Sequence, residues 1–97
     1  MGYTIYYKIK FRDRKLATKV IKPILEELGF TIYEKGAEIS IRPPTNSVEP
    51  MRIKEDEWLS AKTYKKQPWT GIYKLLLVSF SFFASVEAFD DEGWSLR

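Results

Sequence analysis

From Tyr3 to Phe11 the odd positions are large and apolar or aromatic (Tyr3, Ile5, Tyr7, Ile9, Phe11), and Thr4, Tyr6, Lys8, Lys10 and Arg12 fill the even ones. Successive side chains of a strand point to opposite faces, so the alternation predicts a strand with its odd face buried and its even face in water. At Asp13, a good N-cap, the period changes. Leu16, Ala17, Val20, Ile21, Ile24, Leu25 and Leu28 follow helical spacing, with Arg14, Lys15, Lys19, Lys22, Glu26 and Glu27 off the stripe. This predicts an amphipathic helix that stops at Gly29 and kinks near Lys19, because Pro23 lacks the backbone donor and crowds the preceding turn.

Phe30 to Glu34 and Glu38 to Arg42, joined by Lys35-Gly36-Ala37, read as a hairpin. Pro43-Pro44-Thr45-Asn46-Ser47 reads as loop, extended by Pro50. Glu55 to Thr63 alternates and reads as a strand. Ile72 to Phe89 fits a strand by its alternation over Val78–Ala88 and a helix by the stripe Trp69, Tyr73, Leu76, Phe80, Phe83. Strands usually run ~3–10 residues, so length divides the segment: a helix from about Thr70, as cap, to Phe83, then a strand from Ser85 to Asp90. That helix is apolar nearly all round, which implies burial on two sides or against a second subunit.

The sum is one α+β domain spanning residues 1–97 in β-α-β-β-β-α-β order. It is a two-layer sandwich, a mainly antiparallel sheet with two helices on one face, ferredoxin-like in outline. A fold outline assigns no activity.

Composition narrows the chemistry. The 97 residues include no cysteine and no histidine. Thiol nucleophiles, disulfides, Cys/His metal sites and histidine-based acid–base catalysis are therefore excluded. Asp90-Asp91-Glu92-Gly93 and Glu55-Asp56-Glu57 lack the spacing of a calcium loop and read as acidic turns, so neither a metal nor a cofactor is expected. Asn46 and Gln67 are the sole side-chain amides beside abundant Lys and Glu, the usage of heat-adapted proteins. The stretch Leu75–Val86 is too short for a bilayer, which takes ~20 residues. Met1 leads directly into the first alternation with no targeting pattern, so a cytoplasmic protein with no membrane partner is expected.

Charge is uneven. The overall net charge is +3. Residues 1–22 hold seven basic side chains against Asp13, a local +6. On an open sheet face Tyr6, Lys8 and Lys10 would combine a ring with cations, the pairing by which some sheets bind nucleic acid; solvated lysines that discourage edge pairing are the plainer reading. A second candidate is Lys62, Tyr64, Lys65, Lys66, Trp69 and Thr70, just ahead of a helix N-terminus whose free N–H groups favour an anion. There too the plainer reading is a helix start stapled to the core by Trp69. Finally, three Trp, six Tyr and six Phe are too many for so small a core. Rings such as Tyr6, Trp58, Trp69 or Trp94 are expected at a surface, where they supply contact area. The reading that best joins these features is a non-catalytic interaction domain that self-associates as a homo-oligomer. The alternative is nucleic-acid or phosphorylated-ligand binding.

Overall fold

The computed structural model describes residues 2–96. β1 (Thr4–Phe11) is the alternating strand, and α1 (Arg14–Glu27) follows directly. The Asp13 carboxylate accepts the Leu16 N–H at 3.0 Å and caps α1. α1 runs unbroken through Pro23. It ends in a Schellman arrangement: Phe30 N–H donates to the Leu25 carbonyl (2.9 Å) and Gly29 N–H to that of Glu26 (3.0 Å). Gly29 sits at φ +85°, a left-handed angle that calls for glycine, and a Cβ there would also crowd Pro44 Cγ at 3.3 Å.

β2 (Thr31–Lys35) and β3 (Glu38–Arg42) form the expected hairpin. The loop through Pro50 then leads into β4 (Met51–Lys54), a strand the sequence pattern did not reveal because four residues show too little alternation. Glu55–Glu57 turns the chain into β5 (Trp58–Lys62), shorter than the expected Glu55–Thr63.

α2 spans Trp69–Phe80 and β6 Ala84–Asp90, so the division of the long apolar segment holds. The cap does not. Pro68 occupies the cap position and Thr70 is buried inside the first turn, its hydroxyl 2.8 Å from the Lys66 carbonyl and 2.7 Å from Thr63 Oγ1. The helix also ends earlier than Phe83. Ser81–Phe83 tightens into i+3 turns, and the Phe83 carbonyl accepts the Arg12 N–H (2.9 Å), which joins the start of β6 to the end of β1. β7 (Ser95–Leu96) is a further short strand.

The strands form two antiparallel sheets where one was expected. β5-β1-β6-β7 make the first, with Tyr6 opposite Ser60 on one side and Phe89 on the other. β2-β3-β4 make the second. The break falls between β4 and β5, which lie side by side with no ladder between them. Asp56, at φ 57°, instead donates its N–H to the Ile9 carbonyl at 2.8 Å, carrying the turn across to β1.

One core joins both sheets and both helices. It includes Ile5, Tyr7 and Ile9 from β1, Ala17, Ile21 and Leu25 from α1, Ile39, Ile41, Met51 and Ile53 from the second sheet, and Tyr73, Leu77 and Phe80 from α2. Two buried tyrosines reach across it to backbone: the Tyr7 hydroxyl donates to the Arg52 carbonyl and the Tyr73 hydroxyl to that of Glu49, each at 2.6 Å. Burial pushes both phenols up from their usual value, so they remain donors at all physiological pH. No described helix is long and apolar enough to cross a membrane.

Candidate interaction surfaces

The outer face of the first sheet is the even face of β1 with its neighbours. Pairing sets Phe89 of β6 beside Tyr6, and Trp58 of β5 beside Lys8. Tyr6 and Phe89 stack with centroids 4.9 Å apart, and Trp58 packs on Phe89 at 5.6 Å. The Lys8 ammonium lies 5.8 Å from the Trp58 ring, 3.5 Å from Glu87 and 3.9 Å from Asp56. Lys10 is exposed at the far end, beside Ser85. So Tyr6, Lys8 and Lys10 do share one open face. Thr4 departs from the expected wet row: it is buried, and its N–H donates to Asp91 at 2.9 Å. Phe89 is the ring that sequence reading missed, and its outward alternation with Ser85 and Glu87 was the available signal.

The second candidate disperses. Lys62 is exposed at the end of β5 and uses its backbone on Glu49. Tyr64 and Lys65 are left-handed turn residues (φ 55° and 59°), and the Lys65 ammonium pairs with Glu92. Trp69 is half-buried, edge-on to Phe30 at 5.8 Å. The Thr70 N–H donates to the Lys66 carbonyl (2.9 Å), that of Gly71 to Gln67 Oε1 (3.1 Å) and that of Ile72 to the Pro68 carbonyl (2.9 Å). Three of the donors that an anion would use at this helix start, those of Thr70, Gly71 and Ile72, are therefore already engaged.

The acidic turn after β6 divides its carboxylates among separate tasks. Asp90, with a side chain only 2% exposed, accepts from the Tyr3 hydroxyl, from Lys74 Nζ (2.9 Å), and from the N–H groups of Glu92 (2.8 Å) and Trp94 (2.9 Å). Burial alone would raise this carboxyl, but the hydrogen bonds from Tyr3, Lys74 and the two amides outweigh it and hold the group well below the ordinary carboxylate range. Burial likewise works to lower the Lys74 ammonium, and Tyr3 and Asp90 overcome it and raise the group. Lys74 also lies over the Trp94 and Tyr3 rings, at 5.1 and 5.4 Å. The cluster fastens α2 to β1 and to the end of β6.

The third surface lies on the helices. Of the seven apolar residues along α1, only Ala17, Ile21 and Leu25 reach the core. Leu16, Val20, Ile24 and Leu28 are 40–57% exposed. They form one i, i+4 row, so the fold uses one side of the stripe and leaves the other bare. At ~100° per residue the seven span about half of the helix circumference, wider than one core face needs; that width was the legible signal. On α2, Leu75 (64%), Val78 (39%) and the following Phe82 (75%) are exposed as well. A groove lined by Ile24, Leu28, Ile72 and Leu75 connects the α1 row to α2.

No protein-family model, curated protein or solved structure matches this chain.

Proposed function

We propose that this is a non-catalytic interaction domain that acts by self-association, seating a second copy on the α1/α2 face. The supporting observation is the bare apolar surface of Leu16, Val20, Ile24, Leu28, Leu75, Val78 and Phe82. With roughly 150–200 Å² for a fully exposed large apolar residue, the seven present on the order of 600 Å², at the top of what a monomer usually shows as one patch. A standard interface takes ~800 Å² per partner, which this patch and its charged margin approach. Light scattering and sedimentation across a concentration series test the reading. A concentration-dependent dimer, and a monomer for Ile24→Glu with an unchanged circular dichroism spectrum, are the expected results. A strict monomer at high concentration discards it.

A second reading rests on a different observation. Tyr6, Trp58 and Phe89 gather on the open sheet face with Lys8 and Lys10, which suits stacking of unpaired bases beside phosphate-neutralising cations. The engagement of Lys8 by Glu87 and Asp56 weighs against it. Fluorescence titration with single-stranded RNA should show Trp58 quenching that fades steeply with salt.

A further inference from the structure

The exposed row of α1 has a neighbour. Lys19, Pro23 and Glu27 form the adjacent i, i+4 row, each three residues beyond Leu16, Val20 and Ile24. Lys19 and Glu27 are both exposed, and among the described residues neither takes part in an ion pair. Their own helix offers them nothing. The positions three and four residues from Lys19 hold Lys15, Leu16, Lys22 and Pro23, and those on the N-terminal side of Glu27 hold Pro23 and Ile24. Lys22, by contrast, has Glu26 at i+4. The apolar ridge is thus flanked by a charged row that is positive at its N-terminal end and negative at its C-terminal end.

This polarity selects a geometry. Ridges of i±4 spacing from two helices interdigitate in the commonest class of helix packing. If a two-fold axis crosses α1 at right angles, the helices run antiparallel and both charged rows fall on the same side of the contact. The midpoint of the apolar ridge lies between Val20 and Ile24, and that of the charged row at Pro23. These midpoints lie one residue apart, about 1.5 Å along the helix, so a single axis near them brings Val20 of each copy beside Ile24 of the other and leaves Lys19 of each within side-chain reach of Glu27 of the other. An axis parallel to α1 sends the two charged rows to opposite sides and leaves all four charges unpaired. Antiparallel helix dipoles favour the first arrangement as well.

We propose that two copies of this chain pair through antiparallel α1 helices, with Leu16, Val20, Ile24 and Leu28 at the centre of the contact, the exposed α2 residues at its margin, and reciprocal Lys19–Glu27 pairs setting its direction. The inference rests on the self-association reading and specifies its geometry. Sedimentation equilibrium of Lys19→Glu, Glu27→Lys and the double variant tests it, with Arg52→Glu on β4 as a control for net charge. Each single swap turns both cross-pairs repulsive and should weaken the dimer roughly tenfold at low salt. The double swap should return to within about threefold of the unaltered protein, and the tenfold gap should shrink at high salt. Circular dichroism of the single variants should be unchanged, since both positions are exposed. Single swaps that dimerise as tightly as the unaltered protein, or a double swap that stays weak, overturn the antiparallel geometry while leaving the helix face as the contact. Absence of any dimer in the unaltered protein overturns the self-association reading itself.

Discussion

The helix face and the sheet face are both uncovered and both carry large side chains, yet they differ in what those side chains already touch. On the sheet face Tyr6, Phe89 and Trp58 pack on one another, and Lys8 is held by Glu87, Asp56 and the Trp58 ring. Such cross-strand groups stabilise a sheet within one chain. On the helix face Ile24 and Leu75 stand 57% and 64% exposed. Their burial needs a second surface. On these two faces the strand aromatics are therefore a weaker sign of a partner than the helix residues, because Tyr6, Phe89 and Trp58 found company along the strands, whereas the aliphatic row and Phe82 stand bare.

The contrast can be broken at three points. The largest effect belongs to the cluster that ties the sheet to the helix layer. Asp90→Asn leaves the Lys74 ammonium without its buried counter-charge and should cost about 3 kcal/mol in urea unfolding. The pH dependence has a definite sign. The folded Asp90 carboxyl lies below its unfolded value of ~3.9, so its contribution is complete above about pH 4 and is lost as pH falls toward the folded value. The variant should show a shallower acid limb than the unaltered protein. An equally steep limb would assign acid sensitivity to other carboxylates.

A smaller loss is expected on the sheet face. Phe89→Ala removes the ring shared by Tyr6 and Trp58 and should cost about 1–2 kcal/mol, visible as a lowered urea midpoint. No loss would mean that the rings are as idle as the helix row, and would favour their reservation for a ligand. The smallest effect belongs to the helix face: Leu75→Gln, measured on dilute protein, should change stability by less than about 0.5 kcal/mol. A loss comparable to that of Phe89→Ala would show that this face already packs within the monomer.

Much of the fold is legible in local pattern. Period-two alternation located β1, a capped helical stripe located α1, and a glycine turn located the β2–β3 hairpin. These segments are long or sharply punctuated, and burial on one side suffices to explain them. β4 and β7, with four and two residues, are too short to carry a period. The split into two sheets depends on how the Glu55–Glu57 turn reaches β1, which no local pattern encodes. The site was legible unevenly. The alternation that defined β1 also put Tyr6, Lys8 and Lys10 together. The Lys62–Thr70 segment looked like an anion site because its residue types fit one, but whether its backbone donors were free depended on Gln67, Lys66 and Pro68.

By itself, the sequence determined the class of the protein. It excludes thiol and imidazole chemistry, distributes helix and strand along most of the chain, and carries an apolar stripe on α1 broader than one core face requires. All of these are properties of residue identity and short-range spacing. Only the tertiary structure decided which part of that stripe is core and which is surface, since that depends on where β1, α2 and the second sheet meet α1. It decided equally that Lys19 and Glu27, which form no ion pair among the described residues, border the bare part. The aromatic excess followed the same rule: the sequence could count the rings, and only strand register could place Phe89 between Tyr6 and Trp58.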